Sequence, residues 1–261
     1  VTDSNGNTFR VDSNVGGQLR RAAGLLLMDG WDASTGTANP AVDAGVSAGD
    51  IFYIGDAELG YFAAGSYSNS WGQREQGVRR TYGGGSDILA DDFRFETVTN
   101  NIEASGLLSV GLGIGDSTYE WNNVVSRVTD SFVERYVGVE GDEFRSVVGT
   151  NIQWEERQYA STQLSGSHFL NEAGSVFLEW QATASQAERD VPDRRSSSFI
   201  ASQSQTPADA LAESYDFRAT NQDQADLFNG FFYNYGASNR RFNNLIDNNY
   251  EVSADLTWDV F

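Results

Sequence analysis

Few side chains in this sequence could act in acid–base or nucleophilic catalysis. Cys is absent, which excludes thiolate nucleophiles and thiolate metal sites. His168 is the only histidine, so any Ser-His-Asp triad would have to use it. Because His168 lies just before a predicted turn, we expect it to be interfacial or hydrogen-bonded rather than a catalytic base. The sequence therefore predicts that the protein is not an enzyme and uses no metal or cofactor.

Carboxylates are abundant but show no spacing that indicates a site. The chain has 37 acidic residues against 17 basic ones, so adjacent pairs such as Asp91-Asp92, Asp142-Glu143 and Glu155-Glu156 are expected as solvated charge. The sequence contains no Asp-x-Asp-x-Asp-Gly motif, the spacing that would predict a calcium-binding loop. The glycine-rich stretch TYGGGSD (81–87) lacks the lysine of a phosphate-binding loop. A net charge of −20 would repel nucleic acid.

Arginine provides all of the positive charge, and three pairs of adjacent arginines could bind anions. They are Arg79-Arg80, Arg194-Arg195 and Arg240-Arg241. A guanidinium presents a planar fork of donors that matches phosphate and carboxylate groups. These pairs could therefore grip an anionic ligand or lipid phosphates, or they could anchor the chain at an interface.

Any such site must be positioned by β-strands, because apolar residues recur with a period of two. The closing stretch YEVSADLTWDVF (250–261) alternates apolar with polar residues, and a strand sends successive side chains to opposite faces. Composition agrees, since 13% of residues are aromatic and there are 27 glycines against 3 prolines. The longest apolar run, 22–28, is far short of the about 20 residues of a membrane-spanning helix. We predict an all-β, antiparallel fold.

Turn signals divide the chain into six clear strands, with two more expected. Gly115-Asp116 and residues 171–174 predict tight turns. Residues 1–56 give no clear pattern beyond loops, including 36–49, and a possible first strand, and 207–213 could form one or two helical turns. The predicted strands are 57–71, 93–114, 117–132, 145–170, 175–190 and the closing stretch. The predicted long polar loops are 72–92, 133–144 and 191–245.

Short turns at one end and long polar loops at the other are typical of a bacterial outer-membrane β-barrel. Strand 145–170 also exceeds the about five or six residues that are usual in globular sheets. A soluble antiparallel sheet with one face on a core would give the same alternation, so both interpretations stay open. On the barrel interpretation one face contacts outer-membrane lipid, and its predicted lipid-facing residues are Leu164, Val176, Leu178, Trp180, Val252, Leu256 and Trp258.

Several stretches resemble the barrel of the TonB-dependent receptors of Gram-negative bacteria. Residues 157–199 contain a Gln-Leu-Ser-Gly-x-His hairpin strand (163–168), a return strand with Trp180, and an Arg-x-x-Pro-Asp-x-Arg segment (189–195). SGLLSVGLGIGDSTYEW (105–121) and RRFNNLIDNNYEVSADLTW (240–258) resemble other strands of the same family. The resemblance covers roughly residues 57–261, and its specificity comes from the order and spacing of these stretches.

The resemblance implies a partial transmembrane barrel, about six to eight strands of the about 22 in the family, with long extracellular loops in the cell outer membrane. It implies uptake of a scarce nutrient such as a siderophore, a cofactor or an oligosaccharide, with a plug domain and TonB as partners. No counterpart of the plug is found, and the terminal Phe261 is out of phase with the apolar alternation. In this picture the residues expected to contact ligand or plug are Arg157, Gln163, Glu179, Gln181, Arg194 and Arg195.

Two other functions are compatible with the same patterns. One is a small, complete outer-membrane barrel that acts as a passive pore. The other is a secreted, acidic β-sandwich that serves as an adhesin or a carbohydrate-binding module. The sandwich requires two stacked sheets with Leu178, Trp180 and Leu256 between them, so the arrangement of the sheet separates it from the barrel.

Overall fold

The chain folds as a single antiparallel β-sheet, which confirms the predicted all-β class. The computed structural model describes residues 19, 31–33, 35–83, 89–141, 145–171, 174–201, 208–221, 223–224, 227, 231–234 and 237–259. Within these ranges eight strands belong to one sheet, and one short helix accompanies it. The sheet is open, with β1 at one edge and β8 at the other.

The first seven strands follow one another in the sheet in chain order, each antiparallel to the next, and the eighth pairs with the sixth. The elements are β1 (Val42–Ile54), β2 (Ala57–Tyr82), β3 (Leu89–Ile114), β4 (Ser117–Glu140), β5 (Arg145–Phe169), β6 (Val176–Ala201), α1 (Ala208–Ser214), β7 (Phe231–Tyr233) and β8 (Asn239–Trp258). The last two strands share one neighbour, because β7 pairs with the final residues of β6 and β8 pairs with the rest of it.

Tight turns join the strands at one end of the sheet, as predicted for 115–116 and 171–174. Gly115 has a φ of 56° and Gly174 a φ of 67°, a region that glycine enters without steric cost. The β1–β2 turn repeats the Ile-Gly-Asp signal of the β3–β4 turn, with Gly55 at a φ of 64°. The Asn171 side-chain oxygen accepts hydrogen bonds from the Ser175 and Val176 amides at 2.9 and 3.1 Å. These four residues fix the short-turn end of the sheet.

The strands extend well into the segments predicted as long loops. Strand β2 continues to Tyr82, β4 to Glu140 and β6 to Ala201, and β1 occupies part of the predicted loop 36–49. The extensions of β2, β4 and β6 carry polar side chains on both faces, so they lack a regular period of two. The β1 residues do have this period, since Val42, Ala44, Val46 and Ala48 alternate with polar residues and glycine. In all four strands the backbone groups pair in the ladder. The predicted helical turns at 207–213 correspond to α1. The predictions for 1–18 and for Phe261 fall outside the described residues.

Register places the predicted lipid-facing residues on one side of the sheet, which we call the apolar face. One row of ladder partners across seven strands is Phe52, Leu59, Leu112, Tyr119, Gly166, Trp180 and Ala254. The next row, on the opposite side or polar face, is Tyr53, Glu58, Gly113, Thr118, Ser167, Glu179 and Asp255. Successive residues alternate between these faces, so the division holds along each strand until a β-bulge shifts the register, as between Arg74 and Gly77 on β2.

The buried core lies far from the short turns, on the side of the sheet that bears the apolar face. Its members come from β4, β5, β6, α1, the segment that follows α1, and β7; they are Val137, Val148, Phe199, Leu211, Tyr215 and Phe231. Arg135 anchors this segment: its guanidinium lies 5.2 Å from the centre of the Tyr215 ring and donates to Phe217 O at 2.5 Å and Asn221 Oδ1 at 3.1 Å. The core therefore covers only the far end of the sheet.

A β-bulge in β6 changes which residues reach each face. Val191 is opposite Asn243 and Arg194 is opposite Arg241, so β6 has one residue more than β8 between these pairs. The register with β5 shifts at the same place. Pro192 lies in the bulge. Proline has no backbone N–H to donate, and the ladder hydrogen bonds are interrupted at a bulge, so proline is tolerated there. Beyond the bulge the odd-numbered residues of β6 lie on the side of the apolar face.

Candidate functional site

The polar face carries four of the predicted ligand or plug contacts: Arg157, Gln163, Glu179 and Gln181. Glu179 is the ladder partner of Asp255, and Gln181 is the partner of Ser253. Together with Glu120 these residues line a cleft of about 380 Å³ near the short turns. Glu179, Asp255 and Glu120 make this end of the polar face acidic. Glu179 and Asp255 also lie directly opposite each other, where like charges repel.

The acidic cleft does not have the geometry of a metal site. Among the described residues no group of three or more His, Cys, Asp or Glu side chains is arranged to hold a metal ion. The cleft is also open to solvent, which screens its charges. Its polar lining is suited to water or to a polar chain segment.

Arg157 lies farther from the turns, in a network of alternating charges. It forms ion pairs with Asp130 and with Glu155, the latter at 3.6 Å. Arg189 donates two hydrogen bonds to Glu155, at 2.7 and 2.9 Å. These Arg189 hydrogen bonds are the main reason that the pKa of Glu155 lies below its ordinary value. Arg157 and Arg189 are therefore both matched by carboxylates.

The adjacent pair Arg194-Arg195 does not act as a pair, nor does it lie in a loop as predicted. Both residues belong to β6, and neighbouring residues of a strand point to opposite faces. The pairs form instead between strands, because Arg194 is the ladder partner of Arg241 and Arg195 is the partner of Arg240. The first pair lies on the polar face and the second on the opposite side.

A carboxylate from the bulge neutralises the second of these arginine pairs. Asp193 accepts hydrogen bonds from Arg195 Nε at 2.6 Å, from Arg240 Nε at 2.6 Å and from Arg240 Nη2 at 2.9 Å. These charge-assisted bonds, with Arg195 contributing most, lower the pKa of Asp193 to about 2. The Arg-x-x-Pro-Asp-x-Arg segment thus builds a bulge whose aspartate bridges two strands.

The pair on the polar face, Arg194 and Arg241, has no comparable carboxylate. Neither guanidinium forms an ion pair with any of the described residues. The two arginines line a second cleft of about 380 Å³ together with Gln153, Arg189 and Asn243. This cleft is basic, in contrast to the acidic one near the turns.

A cluster around Arg79, whose aromatic members the sequence-based predictions did not include, lies on the polar face at the far end. The Arg79 guanidinium lies 5.4 Å from the ring centre of Phe93 and 5.6 Å from those of Phe95 and Tyr136. It also donates to the largely buried Glu134 at 3.3 Å. Burial raises the pKa of Tyr136 above its ordinary value. The sequence signal that could have indicated this cluster is the spacing of Phe93 and Phe95, which puts two aromatic rings on one face of a strand.

The structure gives no support to serine-hydrolase chemistry. The pentapeptide GVSAG (45–49) has the Gly-x-Ser-x-Gly spacing of a nucleophile elbow. Ser47, however, lies in the middle of β1 rather than at a turn from strand to helix. His168 lies on the apolar face and accepts a hydrogen bond from Trp180 Nε1 at 2.8 Å, which confirms the expected hydrogen-bonded role.

All seven predicted lipid-facing residues share the apolar face. Leu164 is the partner of Ala182, while Val176, Leu178, Trp180 and Ala182 are partners of Trp258, Leu256, Ala254 and Val252. Val252 is 82% exposed and Leu256 64% exposed. The described residues form one sheet and not two stacked ones, so no second sheet among them covers this face.

The chain matches none of the protein-family models, curated proteins or solved structures with which it was compared. Over the described ranges, no helix combines the length and the apolar content needed to cross a membrane.

Proposed function

We propose that this chain forms part of the wall of an outer-membrane β-barrel of the TonB-dependent receptor type, which takes up a scarce nutrient. The observation that carries the proposal is the apolar face, a band that crosses seven strands, is interrupted by Asp50 on β1 and Asn123 on β4, and is not covered by a second sheet of the described residues. Large exposed apolar surfaces mark contact with a partner or a membrane. A bilayer is the partner that matches a band shared by every long strand.

The height of the band supports a bilayer as its partner. Apolar residues occupy the face over 57–67 on β2, 104–114 on β3, 176–184 on β6 and 250–258 on β8. Each of these spans has the about 9–11 residues that a tilted strand needs to cross the hydrocarbon region. Beyond them the same side carries charges, including the ion pair between Arg127 and Glu156.

Aromatic residues border the band at both ends, which also fits a membrane. Tyr119 and Trp258 lie near the short turns, and Tyr67 and Tyr250 lie at the opposite limit, whereas Tyr61 and Trp180 lie inside the band. Tyr and Trp favour the two interfaces of a bilayer, because their rings are apolar and each carries a polar group.

The two edges of the sheet favour a piece of a larger barrel. β1 pairs only with β2, and β8 only with β6, among the described strands. In hydrocarbon each unpaired backbone N–H or C=O costs several kcal/mol. A membrane barrel therefore requires a pairing partner at both edges. The further strands of a barrel of about 22 strands would supply these partners.

The receptor assignment rests on the sequence resemblance, and the polar face is compatible with it. Water, ligand and a plug occupy the interior of such a barrel, and this face carries serine, glutamine and carboxylate side chains at nearly every level. We expect Gln163, Glu179 and Gln181 to contact plug or ligand. The long segment between β6 and β8 would lie outside the cell.

The test is whether the native protein behaves as an integral outer-membrane barrel. We expect extraction from cells to require detergent, and unheated samples to migrate differently from boiled ones in electrophoresis. A detergent-free, monodisperse monomer would contradict the barrel. For the transport role, uptake of the nutrient by cells should stop when TonB is deleted; uptake that continues unchanged would instead support a passive pore.

A further inference from the structure

We propose that Arg194 and Arg241 form a binding site for a multivalent oxyanion on the polar face of the sheet. The two residues are direct ladder partners on β6 and β8, so their Cβ atoms are about 4.5–5.5 Å apart. Like charges at this distance repel each other. An anion bound between the two guanidinium groups would replace this repulsion by a net attraction.

The neighbouring pair shows what an arginine pair at this position requires. Arg195 and Arg240 lie one residue away on the same two strands, and there the carboxylate of Asp193 accepts from both. Arg194 and Arg241 have the same cross-strand arrangement, but no carboxylate of a described residue forms an ion pair with either of them. This is unusual in a chain with 37 acidic residues and a net charge of −20.

Two carboxylates of the neighbouring strand segments, Asp193 and Glu155, are already engaged by other arginines. Asp193 faces the other side of the sheet with Arg195 and Arg240. Glu155 is held by Arg189 through two hydrogen bonds and contacts Arg157 at 3.6 Å. The positive charge of Arg194 and Arg241 is therefore directed at the cleft.

The cleft has the size and lining for a small anion. Its volume is about 380 Å³, and Gln153 and Asn243 add amide groups to the guanidinium groups of Arg189, Arg194 and Arg241. Guanidinium forks bind phosphate and carboxylate through paired hydrogen bonds. The site faces away from the apolar face, so its ligand is a soluble phosphate or polycarboxylate compound and not a lipid headgroup. That this ligand is the transported solute rests on the proposed function; anion binding itself does not.

The test is a calorimetric titration of the detergent-solubilised protein with pyrophosphate and, separately, with citrate at low salt. We expect binding of one anion per chain, and a loss of at least about tenfold in affinity in Arg194→Gln and in Arg241→Gln. Arg195→Gln is the matched control, because it removes the same charge from the adjacent residue on the other side. Arg194→Lys should bind with intermediate affinity, since it keeps the charge without the fork.

A second measurement guards against misfolded variants. Without anion, Arg194→Gln should unfold at the same or a higher urea concentration than the wild type, because one repulsive contact is removed. Pyrophosphate or citrate should stabilise the wild type and not this variant. The proposal is overturned if neither anion binds the wild type, or if Arg195→Gln weakens binding as much as Arg194→Gln. Whether extraction of the protein requires detergent is measured independently of anion binding. A failure of the proposed membrane role is therefore distinguishable from a failure of the anion site.

Discussion

Trp180 Nε1 donates a hydrogen bond of 2.8 Å to His168 Nε2 on the apolar face. The Trp180 ring lies over Gly166, its direct ladder partner on β5, and the His168 ring also contacts Tyr119, with 5.0 Å between ring centres. Because Nε2 accepts, the proton of a neutral His168 lies on Nδ1. A glycine, a histidine and two aromatic residues thus form one surface near the short turns.

Gly166→Ala is expected to dislodge Trp180. An added Cβ would lie 2.7 Å from Trp180 Nε1 and 2.8 Å from its ring, so the indole must move and lose its hydrogen bond. We expect the free energy of unfolding in detergent micelles to fall by about 1–3 kcal/mol. Gly111→Ala is the control, because an added Cβ there meets nothing within 4 Å. Equal effects of the two substitutions would contradict this role of Gly166.

Arginine substitutions on β8 distinguish the two faces of the sheet. Leu256→Arg and Val252→Arg place a charge in the proposed lipid-facing band, and we expect a cost of about 2–4 kcal/mol near the bilayer midplane. Ser253→Arg is the control on the polar face of the same strand, where the cost should be small. The measurement is urea-dependent folding into phospholipid vesicles. A larger cost at Ser253 than at Val252 would reverse the assignment of the faces.

Asp193→Asn tests the aspartate that bridges Arg195 and Arg240. The variant should be less stable than the wild type by on the order of 1 kcal/mol at neutral pH. The pKa of Asp193 is lowered from 3.8 to about 2 in the folded protein, so this stabilisation is present above pH 3.8 and is lost as the pH falls through about 2. Urea unfolding from pH 7 to pH 2 should show the two proteins converging only at the acid end. A constant difference over this range would show that the ion pairs are not its source.

Tyr215→Phe tests the buried network beside the core. The Tyr215 hydroxyl donates to Asn221 Oδ1 at 2.7 Å, and its loss should cost about 1 kcal/mol at neutral pH. Burial raises the pKa of Tyr215 above its ordinary value of 10.0. The wild type therefore keeps this stabilisation below about pH 10 and loses it as the pH rises further, because only the unfolded state releases the proton readily.

The variant lacks this ionisation and should lose less stability between pH 9 and pH 11, which chemical unfolding at these pH values measures. Parallel alkaline losses in the two proteins would contradict the assignment to Tyr215.

Core packing at the far end is tested by Phe199→Ala. The Phe199 side chain is fully buried against the segment that contains α1, so its truncation should cost about 3–5 kcal/mol. Phe242→Ala removes a similar side chain that is 66% exposed and should have little effect. Proteolysis of the α1 segment in Phe199→Ala, but not in Phe242→Ala, would show directly that this residue holds the segment to the sheet.

The sequence by itself determined the strands near the turns and the division into two faces. A period of two needs no tertiary information, because a strand must send Leu178 and Glu179 to opposite sides. Glycine turns such as 115–116 also follow from local backbone preferences. The polar extensions of β2, β4 and β6 were not predicted, since polar residues on both faces look the same in a strand and in a loop.

Only the tertiary structure decided which charges meet. Adjacent arginines in the sequence, 194–195 and 240–241, separate to opposite sides, and the register of β6 with β8 joins them into the pairs 194–241 and 195–240. One extra residue at the bulge around Pro192 sets that register, and it places Asp193 where it reaches only one of the two pairs. Cross-strand distance depends on register, and register depends on long-range backbone hydrogen bonds that no local pattern encodes.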